Sequence, residues 1–171
     1  MAELISSKEF VYQSPIFTMQ TDRLYKLVEP FVFEWLENGE VHQILIPAGD
    51  ISDGASNPRL FWTLSGILPS GLYLGAAFVH DELYKNQGKV TISKVARDHS
   101  LTPEPVQWSR EQCDSLFLLI MHSAKVDPKT AYVMWKAVRL FGWAWWNKSI
   151  SIFNIFGIKR NLLHAAHVGK A

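Results

Sequence analysis

The sequence predicts an α+β fold: a small antiparallel sheet with an N-terminal hairpin, packed on about three helices and followed by a basic aromatic C-terminal tail. Two observations predict it. Residues 23–46 read as apolar, β-favouring runs with Asn38-Gly39 between two of them, the dipeptide best able to take positive φ at both centres of a tight hairpin turn. Later segments carry apolar residues at intervals of three and four behind capping residues, which is the period of helices. Strands grouped before helices, rather than alternating with them, favour α+β over a parallel α/β sheet.

The expected strands are Arg23–Val28, Phe31–Leu36 and Val41–Ile46, ended by Pro47 and Gly49. Residues 50–70, with Asp53-Gly54-Ala55-Ser56-Asn57-Pro58, read as an ordered loop rich in residues that bond their own backbone. A first helix is expected after Pro69, with Ser70 as cap and apolar positions continuing to Leu83. Asn86, Gly88, Pro103 and Pro105 mark residues 85–108 as loop. A second helix covers about Ser109–Ala124, where Ser109 and Gln112 form a capping box. A third covers about Pro128–Phe141, with Asp127 as cap and Pro128 at the first helical position.

At 171 residues and 48% apolar composition the chain reads as one domain with its own core, residues 23–146, and a tail over residues 147–171. Cys113 is the single cysteine, so no intramolecular disulfide forms, and a cytoplasmic setting is the simpler expectation. The first thirteen residues lack the basic start and apolar run of a secretion signal. Leu60–Val79 is uncharged, but Ser65, Gly66, Pro69, Ser70, Gly71 and Gly75 interrupt it, and it reads as a loop entering a buried helix rather than a membrane span. The net charge of +1 is unevenly placed: residues 128–171 hold seven Lys or Arg and no acid, leaving an acidic body. Such a tail docks on an anionic surface, on its own body or on another subunit.

Tyr73, Ala76, Ala77, His80 and Tyr84 share one face of the first helix, and Arg110, Asp114, Phe117, Leu118 and Met121 share one face of the second. Asp114 therefore sits on an apolar stripe, where an unpaired carboxylate costs several kcal/mol or more, so hydrogen bonds or a cation must await it. His80 and Tyr84 are the natural partners. A carboxylate on one imidazole nitrogen fixes the tautomer and raises the basicity of the other, which prepares a general base. Asp81, rotated about 100° from His80, is expected to face a cation or the solvent. The same residues also suit a buried polar network that only fixes helix packing.

Four segments, Ile46-Pro47-Ala48-Gly49 with Asp53–Pro58, His80-Asp81-Glu82-Leu83-Tyr84, Arg110 with Asp114, Phe117 and Met121, and Ala137-Val138-Arg139 with Gly142-Trp143, resemble the phage and bacterial domain of unknown function 1353 family over residues 23–146. That resemblance implies a phage context, with the protein in the host cytoplasm or associated with the virion, but no activity. The His-Asp-x-x-Tyr helix followed by a helix bearing Asp is also similar to secretory phospholipases. This second resemblance implies His80 as the base, Asp81 as a calcium ligand, and Tyr84 with Asp114 as supports, calcium acting as Lewis acid on an ester carbonyl. It departs in lacking the flanking cysteines and the glycine-rich calcium loop, for which only Asp53–Asn57 could substitute. Two functions follow as expectations: a metal-assisted ester hydrolase, or a virion or tail assembly protein in which the network is structural.

Other candidates carry less. Asp53 and Ser56 brace a turn or contribute a ligand, and nothing puts Ser56 on the strand-to-helix elbow of serine nucleophiles. Cys113 reads as a small buried hydrophobe. His42, His99, His122, His164 and His167 show no metal-ligand spacing. The C-terminal part of the chain, with Trp135, Trp143, Trp145 and Trp146 and with Phe141, Phe153 and Phe156 among scattered Lys and Arg, suits membrane lipid, a protein partner, other phage proteins or self-association. Its charges are too sparse for a nucleic-acid stripe.

Overall fold

The computed structural model describes residues 12–21, 24–52 and 72–147. In chain order it runs β1 (Phe17–Thr21), β2 (Leu24–Leu27), β3 (Phe31–Glu37), β4 (Glu40–Ile46), β5 (Ile51–Ser52), α1 (Leu74–Lys85), β6 (Lys89–Val95), β7 (Leu101–Gln107), α2 (Arg110–Ser123) and α3 (Pro128–Phe141). The α+β class stands, with two antiparallel sheets of strand order β1-β2-β5 and β3-β4-β6-β7.

The Asn38-Gly39 hairpin forms as expected: both residues have positive φ, 52° and 79°, and Glu37 pairs with Glu40 across the turn. Its register places Phe31 opposite Ile46, Phe33 opposite Ile44 and Trp35 opposite His42. All six are buried, because side chains two apart share a face of a strand. The first expected strand is Leu24–Leu27, preceded by β1, which the sequence reading did not anticipate.

The reading of residues 85–108 as loop is overturned, since they form the β6–β7 hairpin. Pro103 and Pro105 lie two apart on β7, opposite Ser93 and Thr91, and β7 is the outer strand of its sheet. Prolines at this spacing turn their missing N–H groups to one side, the open edge, and so leave the ladder to β6 intact. Gly88 enters the hairpin at φ 77°, its N–H donating to the Leu83 carbonyl and its own carbonyl accepting from Trp108.

The cap assignment to Ser70 is also corrected. Helix α1 starts at Leu74 with Tyr73 in the cap position and no side-chain cap bond. It is buried almost throughout and lies against β4, β5 and α2. Gly75 has no Cβ, and one would collide with the Tyr12 hydroxyl and the Phe31 ring, so this glycine sets how closely the helix approaches β3. Helices α2 and α3 start where expected: Ser109 and Gln112 make the full capping box, and Asp127 caps α3 ahead of Pro128. Among the described residues, no helix is long and apolar enough to cross a membrane.

Candidate functional site

One residue in α2 organises the site. Asp114 has 0% exposure, and its two oxygens divide the surrounding donors between them. Oδ1 accepts from the Tyr84 hydroxyl at 2.6 Å and meets His80 Nε2 at 2.9 Å. Oδ2 accepts from Arg139 Nη1 at 2.9 Å and Arg110 Nη1 at 3.4 Å. The expected grouping of His80, Tyr84 and Asp114 is therefore present, and its donors come from all three helices.

The local sequence accounts for the geometry. His80 and Tyr84 are one turn apart on α1, as are Arg110 and Asp114 on α2, so each pair stacks on one helix face. Small residues, Ala76 and Ala77, are buried on the same face of α1. The His80 ring lies 4.1 Å from the Tyr84 ring and 4.8 Å from the Phe117 ring, centroid to centroid. Arg110 also donates to the Val138 and Arg139 carbonyls at 3.2 and 3.1 Å, tying the C-terminal end of α3 to α2.

Burial alone would push the Asp114 carboxyl up, but the hydrogen bond from His80, with those from Tyr84 and Arg139 adding, prevails and holds it below the usual carboxylate range. Burial first, then the hydrogen bond to Asp114 and its charge, push the Tyr84 hydroxyl up, so it stays protonated and donates. Burial, with the neighbouring Asp114 charge, raises the Cys113 thiol to about 12. That cysteine is inert at neutral pH, in keeping with its reading as a hydrophobe.

Since Nε2 of His80 faces a carboxylate, the ring proton belongs on that nitrogen. Nδ1 then carries the lone pair, and it has no hydrogen-bond partner among the described residues. His80 is 7% exposed. Asp81 points away, as helix geometry requires, toward β5, where the Ser52 hydroxyl donates to its Oδ2 at 2.6 Å. One turn on, Lys85 donates to Asp50 Oδ1 at 2.8 Å and to the Ile51 carbonyl at 3.1 Å. Asp53 and Ser56 lie outside the described residues.

Among the described residues, no three His, Cys, Asp or Glu side chains gather in a way that could hold a metal ion. Calcium requires six to eight oxygen ligands. Asp81 and Ser52 offer a fraction of that set, and the Lys85 ammonium already serves Asp50. The described residues do not by themselves fit a calcium cage.

Sequence reasoning missed Arg139 and Ser52 as members of the site and gave Arg110 no role. The demand of a buried carboxylate for a cation was the available signal for the arginines. Nothing in the sequence shows which face α3 turns toward α2.

The turn after α3 closes over Tyr84. Trp146 sits edge-on to the Tyr84 ring with centroids 5.1 Å apart, and its carbonyl accepts from Gln87 at 3.3 Å. Gly142 is buried there, and a Cβ on it would run into the Val138 carbonyl and the Tyr84 hydroxyl.

No curated protein and no solved structure matches the chain. A family model described as a protein of unknown function, DUF1353, matches residues 25–138. The matched span contains His80, Tyr84, Arg110 and Asp114 and ends one residue before Arg139. The chain belongs to the DUF1353 family.

Proposed function

We propose that this domain is a hydrolase of phospholipase-like type, acting on an ester with His80 as general base. The observation that carries the reading is the His80 Nε2 to Asp114 Oδ1 contact of 2.9 Å, which leaves Nδ1 as the accepting nitrogen. In this reading Nδ1 takes a proton from water, and the water oxygen attacks the ester carbonyl. The tetrahedral intermediate then collapses, and the imidazolium returns its proton to the leaving alkoxide. Asp114 stays ionised throughout, holding the ring and stabilising the transient imidazolium, while Tyr84 fixes the carboxylate.

The resemblance to secretory phospholipases adds calcium, with Asp81 and Asp53 as its ligands. Calcium titration in a thermal melt tests this part directly: an unchanged midpoint removes the calcium proposal and leaves the His-Asp chemistry standing.

The test of the main reading is ester cleavage by the full chain and by His80→Gln. Cleavage should fall by at least about 100-fold, the contribution expected of a general base, with the circular dichroism spectrum unchanged. Equal activity in both proteins, or none in the wild type, removes the enzymatic reading.

A second reading is favoured by one observation, the full burial of Asp114 under four donors. There the network only locks three helices together, and the protein serves in phage virion or tail assembly. Mass spectrometry of purified virions separates the settings, because the assembly role requires the protein in the particle and the hydrolase does not.

A further inference from the structure

The outer face of α3 presents an unusual surface. Tyr132, Val133, Leu140 and Phe141 are exposed, and Trp143 and Trp145 extend the patch beyond the helix end. Leu140, Trp143 and Tyr132 reach 63%, 59% and 53% exposure. The opposite face is spent on the core through Ala131, Met134 and Ala137. Lone exposed apolar groups need no explanation, but a contiguous set on one helix face marks an interaction surface.

The cations threaded through the patch identify the partner. Lys129, Val133, Lys136 and Leu140 follow at intervals of four, three and four, so the lysines share the apolar stripe. The Lys136 ammonium lies 5.4 Å from the Tyr132 ring centroid and 5.3 Å from that of Trp135. No acidic residue occurs anywhere in residues 128–171. Protein interfaces are enriched in aromatic residues but depleted in Lys. Trp, Tyr and Leu interleaved with Lys instead suit a helix lying in the headgroup layer, with ammoniums meeting anionic lipid.

We propose that α3 and residues 143–147 dock the domain on an anionic lipid surface. The patch is continuous with the site, because the backbone at Gly142 and the Trp146 ring both pack against Tyr84. The purpose of docking rests on the hydrolase reading: it brings the domain to a bilayer that holds the ester.

The experiment is sedimentation of the full chain with vesicles of phosphatidylglycerol or of phosphatidylcholine. The wild type should sediment with the anionic vesicles. Leu140→Ser with Trp143→Ser should lower the partition coefficient about tenfold through lost apolar burial. Lys129→Gln with Lys136→Gln should reduce the preference for anionic over neutral lipid. All four positions are exposed, and circular dichroism checks that both variants keep the fold. An absence of vesicle binding, equal binding by the variants, or a vesicle-free dimer dispersed by the same substitutions overturns the proposal. The two readings fail separately. Vesicle binding by wild type and His80→Gln without ester cleavage removes the hydrolase and leaves docking. Cleavage of a soluble short-chain ester without vesicle binding does the reverse.

Discussion

Asp114 has no exposed surface, so a substitution there is felt by every group that points at it. Asp114→Ala removes the acceptor from a buried phenol and a buried imidazole, and from two guanidinium groups that keep partial contact with solvent. Leaving a buried donor without its acceptor costs about 1–3 kcal/mol, and urea denaturation should show at least that loss. The pH dependence has a definite sign. The folded-state carboxyl is held below its ordinary value, so the unfolded chain takes up the proton first as the solution is acidified. The stabilisation is complete above the ordinary carboxylate range, around pH 4, and is lost as pH falls through the lower folded-state value. Thermal midpoints measured downward from pH 5 should fall with acidification, and Asp114→Asn should flatten that fall. Cys113 supplies a simpler check: iodoacetamide at neutral pH should label it only after denaturation, since burial keeps the thiol protonated. At this scale the sequence was informative wherever an energetic demand was local. His80, Tyr84 and Asp114 follow from helical spacing and the cost of a buried charge. Arg139 does not, because its contact depends on the rotation of a third helix.

Two glycine turns separate conformational strain from crowding at the scale of elements. Gly39 has φ 79° and nothing within 4 Å of where a Cβ would stand. Gly39→Ala should therefore cost only the backbone term, about 1–2 kcal/mol. Gly88 combines φ 77° with a Cβ position that collides with the Trp108 carbonyl. Gly88→Ala should cost clearly more, and paired chemical denaturation curves rank the two. The Asn38-Gly39 hairpin and both capped helices were legible because turn and cap chemistry is carried by neighbouring residues. The β6–β7 hairpin was not, because Pro103 and Pro105 signal a loop unless the strand is known to lie at an edge. Edge position is a property of the finished sheet. The start of α1 escaped for a related reason: it has no capping side chain, and packing against β4, β5 and α2 holds it in place.

For the whole molecule, α+β segregation was legible, whereas the division into two sheets was not. That division depends on long-range pairings such as Lys26 with Ile51, which no local pattern encodes. The described helices form one stack in which α2 contacts both α1 and α3. Gly142 tests how tightly the end of the stack is coupled to the site, since the backbone there lies against Tyr84. Gly142→Ala should displace the Tyr84 hydroxyl from Asp114 and lower stability by about 1–3 kcal/mol, the usual cost of overpacking. A fluorescence-monitored melt would report the loss of stability.

A single carboxylate that draws donors from α1, α2 and α3 also constrains the order of assembly. A pairing of α1 with α2 alone would enclose Asp114 while Arg139, its closest guanidinium at 2.9 Å, was still absent. Such a half-built stack is penalised electrostatically, so the last helix to arrive completes the burial of the other two. Amide protons in the middles of all three helices should exchange with deuterium at a common rate, as one cooperative unit. Replacing Arg139 with Met should split that unit, leaving α3 to open ahead of its neighbours.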